Sequence, residues 1–172
     1  PHELSGGQLQ RISIIRSMFL NPGFIIADEP VSMLDVSVRA EIINMLIDLA
    51  RNHNAAVVFI SHDIALTRYI SDNIAVMYLG RIVELADTDT LFKRPLHPYT
   101  QALLNAIPDI DSGENVFSAV LTGDVPSPVH LPTGCPFHPR CTRCMEICKQ
   151  RMPEVRKVGD SLVMCHLYNE AR

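Results

Sequence analysis

Three short clusters of chemically able residues stand near the start of the chain: Ser5-Gly6-Gly7-Gln8, Asp28-Glu29 and Ser61-His62-Asp63. Two adjacent glycines let a backbone come close to a phosphate, and a helix beginning there adds free N–H groups and a partial positive charge. An aspartate directly after a buried strand is held rigidly enough to serve a magnesium ion, directly or through a water. Glu29, one residue on, is placed to orient and polarise an attacking water. His62 can hydrogen-bond a terminal phosphate or that same water, and Asp35 follows closely enough to approach the same region. Phosphoryl transfer asks a protein chiefly for positioning and charge stabilisation, and this set supplies both.

The elements that must carry these residues alternate in kind. From Gln8 to Leu20 the apolar positions Leu9, Ile12, Ile15 and Phe19 recur at helical spacing, and Asn21-Pro22-Gly23 ends the run. Phe24 to Ala27 and Ala56 to Ile60 are short apolar runs without alternation, the pattern of strands buried on both faces of a parallel sheet. Between them Asp35 and Ser37 are candidate caps for a helix to about Arg51, with Val38, Ile42, Leu46 and Leu49 on one face. A further helix is expected over Ile64 to Ile70. The spacing predicts an α/β fold with Asp28-Glu29 and Ser61-His62-Asp63 at the carboxyl ends of its strands, where ligands collect in such sheets.

Ile74 to Tyr78 and Arg81 to Leu85 flank Leu79-Gly80, which suits a hairpin finishing that sheet. Leu91 to Pro108 reads as two short helices broken at Pro95 and Pro98, and Pro108 to Gly134 as a linker. With 172 residues and a net charge of -4 the chain can bury a core, and it lacks the broad basic surface that nucleic-acid binding requires. No apolar run reaches the roughly eighteen residues of a membrane-spanning helix. The five cysteines all lie between Cys135 and Cys165, so the chain is expected to divide into two regions.

Leu-Ser-Gly-Gly-Gln at 4–8, Phe-Ile-Ile-Ala-Asp-Glu-Pro at 24–30, Ser-Met-Leu-Asp at 32–35 and Ile-Ser-His-Asp at 60–63 resemble, in that order, the signature, Walker B, D-loop and switch-histidine motifs of ATP-binding cassette (ABC) ATPases. The resemblance covers residues 1 to about 85. It implies that Ser5, Gly6, Gly7 and Gln8 contact the γ-phosphate of ATP held by an opposite protomer. It also implies that Asp28 serves Mg2+, Glu29 is the catalytic base, Asp35 lies at the dimer interface and His62 is the switch. No GxxxxGK[ST] phosphate loop and no glutamine loop occur in these residues. The expectation is therefore the C-terminal part of a cassette, unable to hydrolyse ATP by itself.

Leu91 to Leu167 resembles the C-terminal extension of ATPases that drive oligopeptide and dipeptide importers, a feature shared with relatives that move nickel and other small solutes. Cys135, Cys141, Cys148 and Cys165 are spaced C-x5-C-x6-C-x16-C. In a chain that works in the cytosol such grouping fits a metal better than disulfides, and the spacing leaves zinc and an iron–sulfur cluster both open. The resemblance implies a [4Fe-4S] cluster, with zinc the alternative and Cys144 an additional thiol.

The sequence thus predicts ATPase elements over 1–88, a helical segment and linker over 89–134 and a Cys-rich module over 135–172. The resemblance implies as partners a second cassette, identical or not, two transmembrane permease subunits and, indirectly, a peptide-binding protein, at the cytoplasmic face of the membrane. A soluble cassette ATPase with no transport role is the competing expectation.

Overall fold

The computed structural model describes residues 6–19, 22–32, 34–107 and 123–169. The chain forms two compact units that divide between Ser71 and Asp72. The first unit contains α1 (Gly6–Met18), β1 (Phe24–Asp28), α2 (Val36–Asn52), β2 (Ala56–Ile60) and α3 (Ile64–Ile70). β1 and β2 pair in parallel from Phe24↔Ala56 to Asp28↔Ile60, with α2 as the crossover, so this unit is α/β as expected.

Ile42, Ile43, Leu46 and Leu49 of α2 form its core with Ile14, Ala27 and Val31, and Ile25 and Phe59 pack against them. Each fully buried aliphatic side chain contributes about 1.5–3 kcal/mol. Strand alternation turns Phe24, Ile26, Val58 and Ile60 to the other face, where they are exposed. The expectation of strands buried on both faces is therefore corrected: the described sheet has two strands, and the core lies on one side of it. α1 differs too. It meets α2 through Ile14 and an Arg11–Glu41 ion pair, while Leu9, Ile12, Ile15 and Phe19 stay exposed.

The second unit holds β3 (Asn73–Tyr78), β4 (Arg81–Asp87), α4 (Thr88–Lys93), α5 (Pro98–Asn105), α6 (Glu146–Gln150), β5 (Val155–Val158) and β6 (Ser161–Met164). The expected hairpin forms, with Leu79 at φ 46° and Gly80 at φ 75° as a two-residue turn needs. It does not finish the α/β sheet. β4 pairs with β6 through Glu84↔Val163 and Leu85↔Leu162, giving an antiparallel sheet of order β3-β4-β6-β5.

The Asp87 carboxylate accepts the Thr90 N–H at 2.9 Å to start α4. α5 begins at Pro98, where the missing N–H costs nothing, and His97 Nδ1 accepts the Tyr99 N–H at 3.0 Å. Burial leaves the His97 ring 1% exposed and holds its pKa down to about 4. The segment before α5 is anchored by Glu84, whose buried Oε1 and Oε2 accept the N–H groups of Leu96 at 2.7 Å and His97 at 2.9 Å.

Candidate functional site

At the carboxyl ends of β1 and β2 the structure brings Glu29 and His62 together. Asp28 ends β1, exposed, and is paired in register with Ile60. Glu29 follows with φ 45°, the left-handed region that costs an L-residue of this kind about 1–2 kcal/mol. Its N–H donates to the Ile60 carbonyl at 3.0 Å and so fixes the turn to the end of β2. That turn throws the Glu29 side chain across to the next loop, where Oε1 lies 2.8 Å from His62 Nδ1. A carboxylate only accepts, so Nδ1–H donates to it, and a phosphate oxygen, which also only accepts, is reached only with a second proton on Nε2. The imidazole is largely exposed, with Nε2 available to a phosphate or a water. Strained backbone at a chemically able residue is a recurring mark of functional sites.

Beyond Glu29 the chain turns tightly: Ser32 N–H and Oγ both donate to the Glu29 carbonyl, at 3.3 and 3.1 Å, and Leu34 N–H donates to Val31 at 3.3 Å. Asp35 opens α2 with extended backbone, but its side chain makes no capping bond; its carbonyl accepts the Arg39 N–H at 2.8 Å. After β2, Asp63 caps α3 by accepting the Leu66 N–H at 3.0 Å. Glu29, Arg39, His62 and Asp63 line one cleft with Val31 and the two serines Ser32 and Ser61.

The signature residues are only partly described. Ser5 lies outside the described residues. Gly6 and Gly7 are already helical as the first residues of α1, with Gln8 exposed behind them. A helix start leaves its first N–H groups without intrahelical partners, which is the property a phosphate reader needs.

In the second unit Cys135, Cys148 and Cys165 are buried and Cys141 is half-buried. Cys135 and Cys148 share an apolar cluster with Tyr78, Val83, Phe137 and Met164. The rings of Tyr78, Tyr99 and Phe137 stand 4.7–5.3 Å apart beside them. Burial pushes the thiols of Cys135 and Cys141 up and that of Cys165 up to about 11, and the charges of neighbouring cysteines add to each shift. The four thiols are thus near enough to feel one another. They do not form a ready ligand cage: among the described residues no group of three or more His, Cys, Asp or Glu side chains is arranged to hold a metal ion.

His138 Nδ1 is bonded to the Cys135 carbonyl at 2.9 Å, and both His166 nitrogens are engaged, by Arg151 and Asn169. His166 is thus fully engaged, while His138 is held through Nδ1 alone. Cys144 is exposed. Gly134, at φ 70°, lies so close to α6 that an added Cβ would stand 2.3 Å from the Cys148 carbonyl oxygen. This approach lets the Cys135 N–H donate to the same oxygen at 2.8 Å and holds two of the thiol-bearing segments together.

Sequence reasoning missed Glu84 and His97. The signal for Glu84 was a carboxylate inside the apolar strand run Arg-Ile-Val-Glu-Leu-Ala, which has to find donors when buried.

Residues 83–148 match the family described as oligopeptide/dipeptide transporter, C-terminal region, and residues 1–32 match the ABC transporter family. The oligopeptide transport ATP-binding protein AppF of Bacillus subtilis is 49% identical over 172 residues, covering 98% of this chain and 52% of that protein. The probable peptide ABC transporter ATP-binding protein y4tS of Sinorhizobium fredii is 49% identical over 168 residues, covering 97% and 48%. The chain spans about half the length of the curated relatives it matches. Among solved structures, the dimeric post-hydrolysis state of the ATP-binding cassette MJ0796 bound to ADP and Pi aligns over 51% of this chain and 38% of that one, with TM-score 0.47 and 33% identity. Among the described residues no helix is long and apolar enough to cross a membrane. Residues 1–32 thus match the ABC transporter family, residues 83–148 match the C-terminal region of oligopeptide/dipeptide transporters, and relatives half identical along nearly all of these residues are named as peptide-transport ATP-binding proteins.

Proposed function

We propose that the whole protein is the ATP-hydrolysing subunit of an importer for oligopeptides or dipeptides, working at the cytoplasmic face of the membrane with a second cassette and two permease subunits. The observation that carries this reading is the Glu29–His62 pair, 2.8 Å apart at the strand ends and beside the turn that leads to Asp35. Glu29 is the base that takes a proton from the attacking water. His62, oriented by Glu29 through Nδ1–H, donates an Nε2–H to the γ-phosphate when its ring is doubly protonated and so reports the phosphate's presence. Ser5, Gly6, Gly7 and Gln8 read the γ-phosphate of ATP held by the partner cassette, and Asp35 faces that partner. Asp28 would hold Mg2+, which would supply charge neutralisation at the phosphates.

For the thiol module we propose that Cys135, Cys141, Cys148 and Cys165 hold a [4Fe-4S] cluster in preference to Zn2+. Support comes from four cysteines in an apolar, aromatic surrounding, with both nitrogens of His166 engaged by Arg151 and Asn169. Because burial pushes the thiols of Cys135, Cys141 and Cys165 up, loading the site would release protons and couple binding to ordering of the module.

The test is reconstitution of the whole protein, with its permeases and partner cassette, in vesicles. Expected is ATP hydrolysis that drives uptake of short peptides. Uptake of nickel without peptides would move the assignment to the small-solute branch, and turnover without any transport would favour the soluble-cassette alternative.

A further inference from the structure

Arg39 stands on the first turn of α2, and its guanidinium spans two loops that the functional reading treats separately. Nη2 donates to the Leu34 carbonyl at 3.4 Å, gripping the peptide that leads into Asp35. Nη1 lies 3.7 Å from Asp63 Oδ2. Nε is buried without a hydrogen-bond partner, so the fork is held by its two ends. Asp63 is itself rigid: it caps α3 through the Leu66 N–H, its own N–H donates to Ser61 Oγ at 3.1 Å, and its carbonyl accepts the Thr67 hydroxyl at 2.8 Å. One residue before it stands His62, bonded to Glu29.

Both side chains of the Arg39–Asp63 pair are more than a third exposed, so the pair adds little stability. What the planar fork supplies is geometry, since its donors point in fixed directions and an ammonium could not reproduce both contacts. We propose that Arg39 is a positioning residue that couples the Asp35 turn to the His62–Glu29 pair, so that docking of the second cassette sets the hydrolytic groups. This rests on the functional reading above. In it, Asp35 faces the partner and His62 faces the γ-phosphate, and the Arg39 side chain touches the loops of both.

The experiment is steady-state ATP hydrolysis by the whole protein assembled with its partner cassette and permeases, comparing wild type, Arg39→Ala, Arg39→Lys and Asp63→Asn. Asparagine still caps a helix, so Asp63→Asn removes the charge without removing the cap. Expected is a kcat loss of roughly tenfold to a hundredfold, the scale of a positional error near 1 Å. The KM for ATP should stay within about twofold, the thermal midpoint should not move, and the Hill coefficient for ATP should fall toward one. Arg39→Lys should not rescue, and Arg39→Ala combined with Asp63→Asn should lose no more than the worse single variant. Unchanged kcat and cooperativity in Arg39→Ala overturn the inference, as does a loss that tracks a lowered thermal midpoint. Absence of turnover in the wild-type assembly overturns the functional reading and this inference with it.

Discussion

Replacing Glu84 by alanine should unlatch the segment between α4 and α5. Its carboxylate, fully buried, accepts two backbone N–H groups, one on each oxygen, at 2.7 and 2.9 Å. Leu96 and His97, which own those N–H groups, are 6% and 1% exposed, so neither amide has water to fall back on. A buried donor left unpaired costs about 1–3 kcal/mol, and two of them give about 2–6 kcal/mol. Taking about 4 kcal/mol, at 1.4 kcal/mol per factor of ten, the opening equilibrium of this segment shifts by two to three orders of magnitude. Gln101 Nε2, bonded to the Pro95 carbonyl at 2.9 Å, and the Tyr168 hydroxyl, bonded to the Leu96 carbonyl at 2.8 Å, hold the carbonyls of the same segment but offer nothing to its N–H groups. The assay is native-state hydrogen exchange read at the Leu96 and His97 amides. Glu84→Ala should accelerate both by about a hundredfold or more. Glu84→Gln, which keeps one acceptor and turns an NH2 toward the other amide, should lose about half the free energy. Exchange within threefold of wild type in Glu84→Ala would refute the latch.

Four other outcomes follow from the second unit. Gly134→Ala places a Cβ against the backbone of Cys148 and Lys149, which cannot swing away, so it should lower the thermal midpoint and the bound metal content. Gly159→Ala, at φ 62° with open space around it, should cost only about 1–2 kcal/mol of backbone strain and leave metal content intact. His97 is held neutral by burial down to about pH 4, whereas the unfolded chain protonates near 6.5. Stability is therefore full above about pH 6.5 and lost as pH falls toward 4, by about 3 kcal/mol. A His97→Gln variant followed by urea titration should lack that part of the acid sensitivity. Iron and labile-sulfide analysis of anaerobically prepared protein should find the cluster lost in Cys165→Ser and retained in Cys144→Ser; stoichiometric zinc in colourless wild-type protein would contradict the iron–sulfur assignment.

What the sequence disclosed depended on how local the cause was. β2 and α3 stand where a five-residue apolar run and an aspartate cap place them, because both signals act within a few residues. Leu79-Gly80 announced its hairpin for the same reason. The partner of that hairpin was not legible, since β4 meets β6 across most of the unit's length. The β5–β6 hairpin was legible and missed: Val-Arg-Lys-Val and Ser-Leu-Val-Met flank Gly159-Asp160, a two-residue turn. On α1 the apolar spacing of Leu9, Ile12, Ile15 and Phe19 identified a helix but not which face meets α2; Arg11 and Ile14 do that. Glu29 and His62 were named from their positions after strands. Their 2.8 Å contact depends on the left-handed backbone at Glu29, which residue types alone do not reveal for a glutamate.

The central claim is that Glu29 and His62 form the hydrolytic pair of a peptide-importer ATPase. Its most direct test is single-turnover ATP hydrolysis by the whole protein in its transporter assembly, wild type against Glu29→Gln and His62→Ala. A general base contributes about 10²–10⁴ in rate, so Glu29→Gln should retain ATP binding and lose at least a hundredfold in turnover, with His62→Ala close behind. Turnover by Glu29→Gln within twofold of wild type would contradict the account.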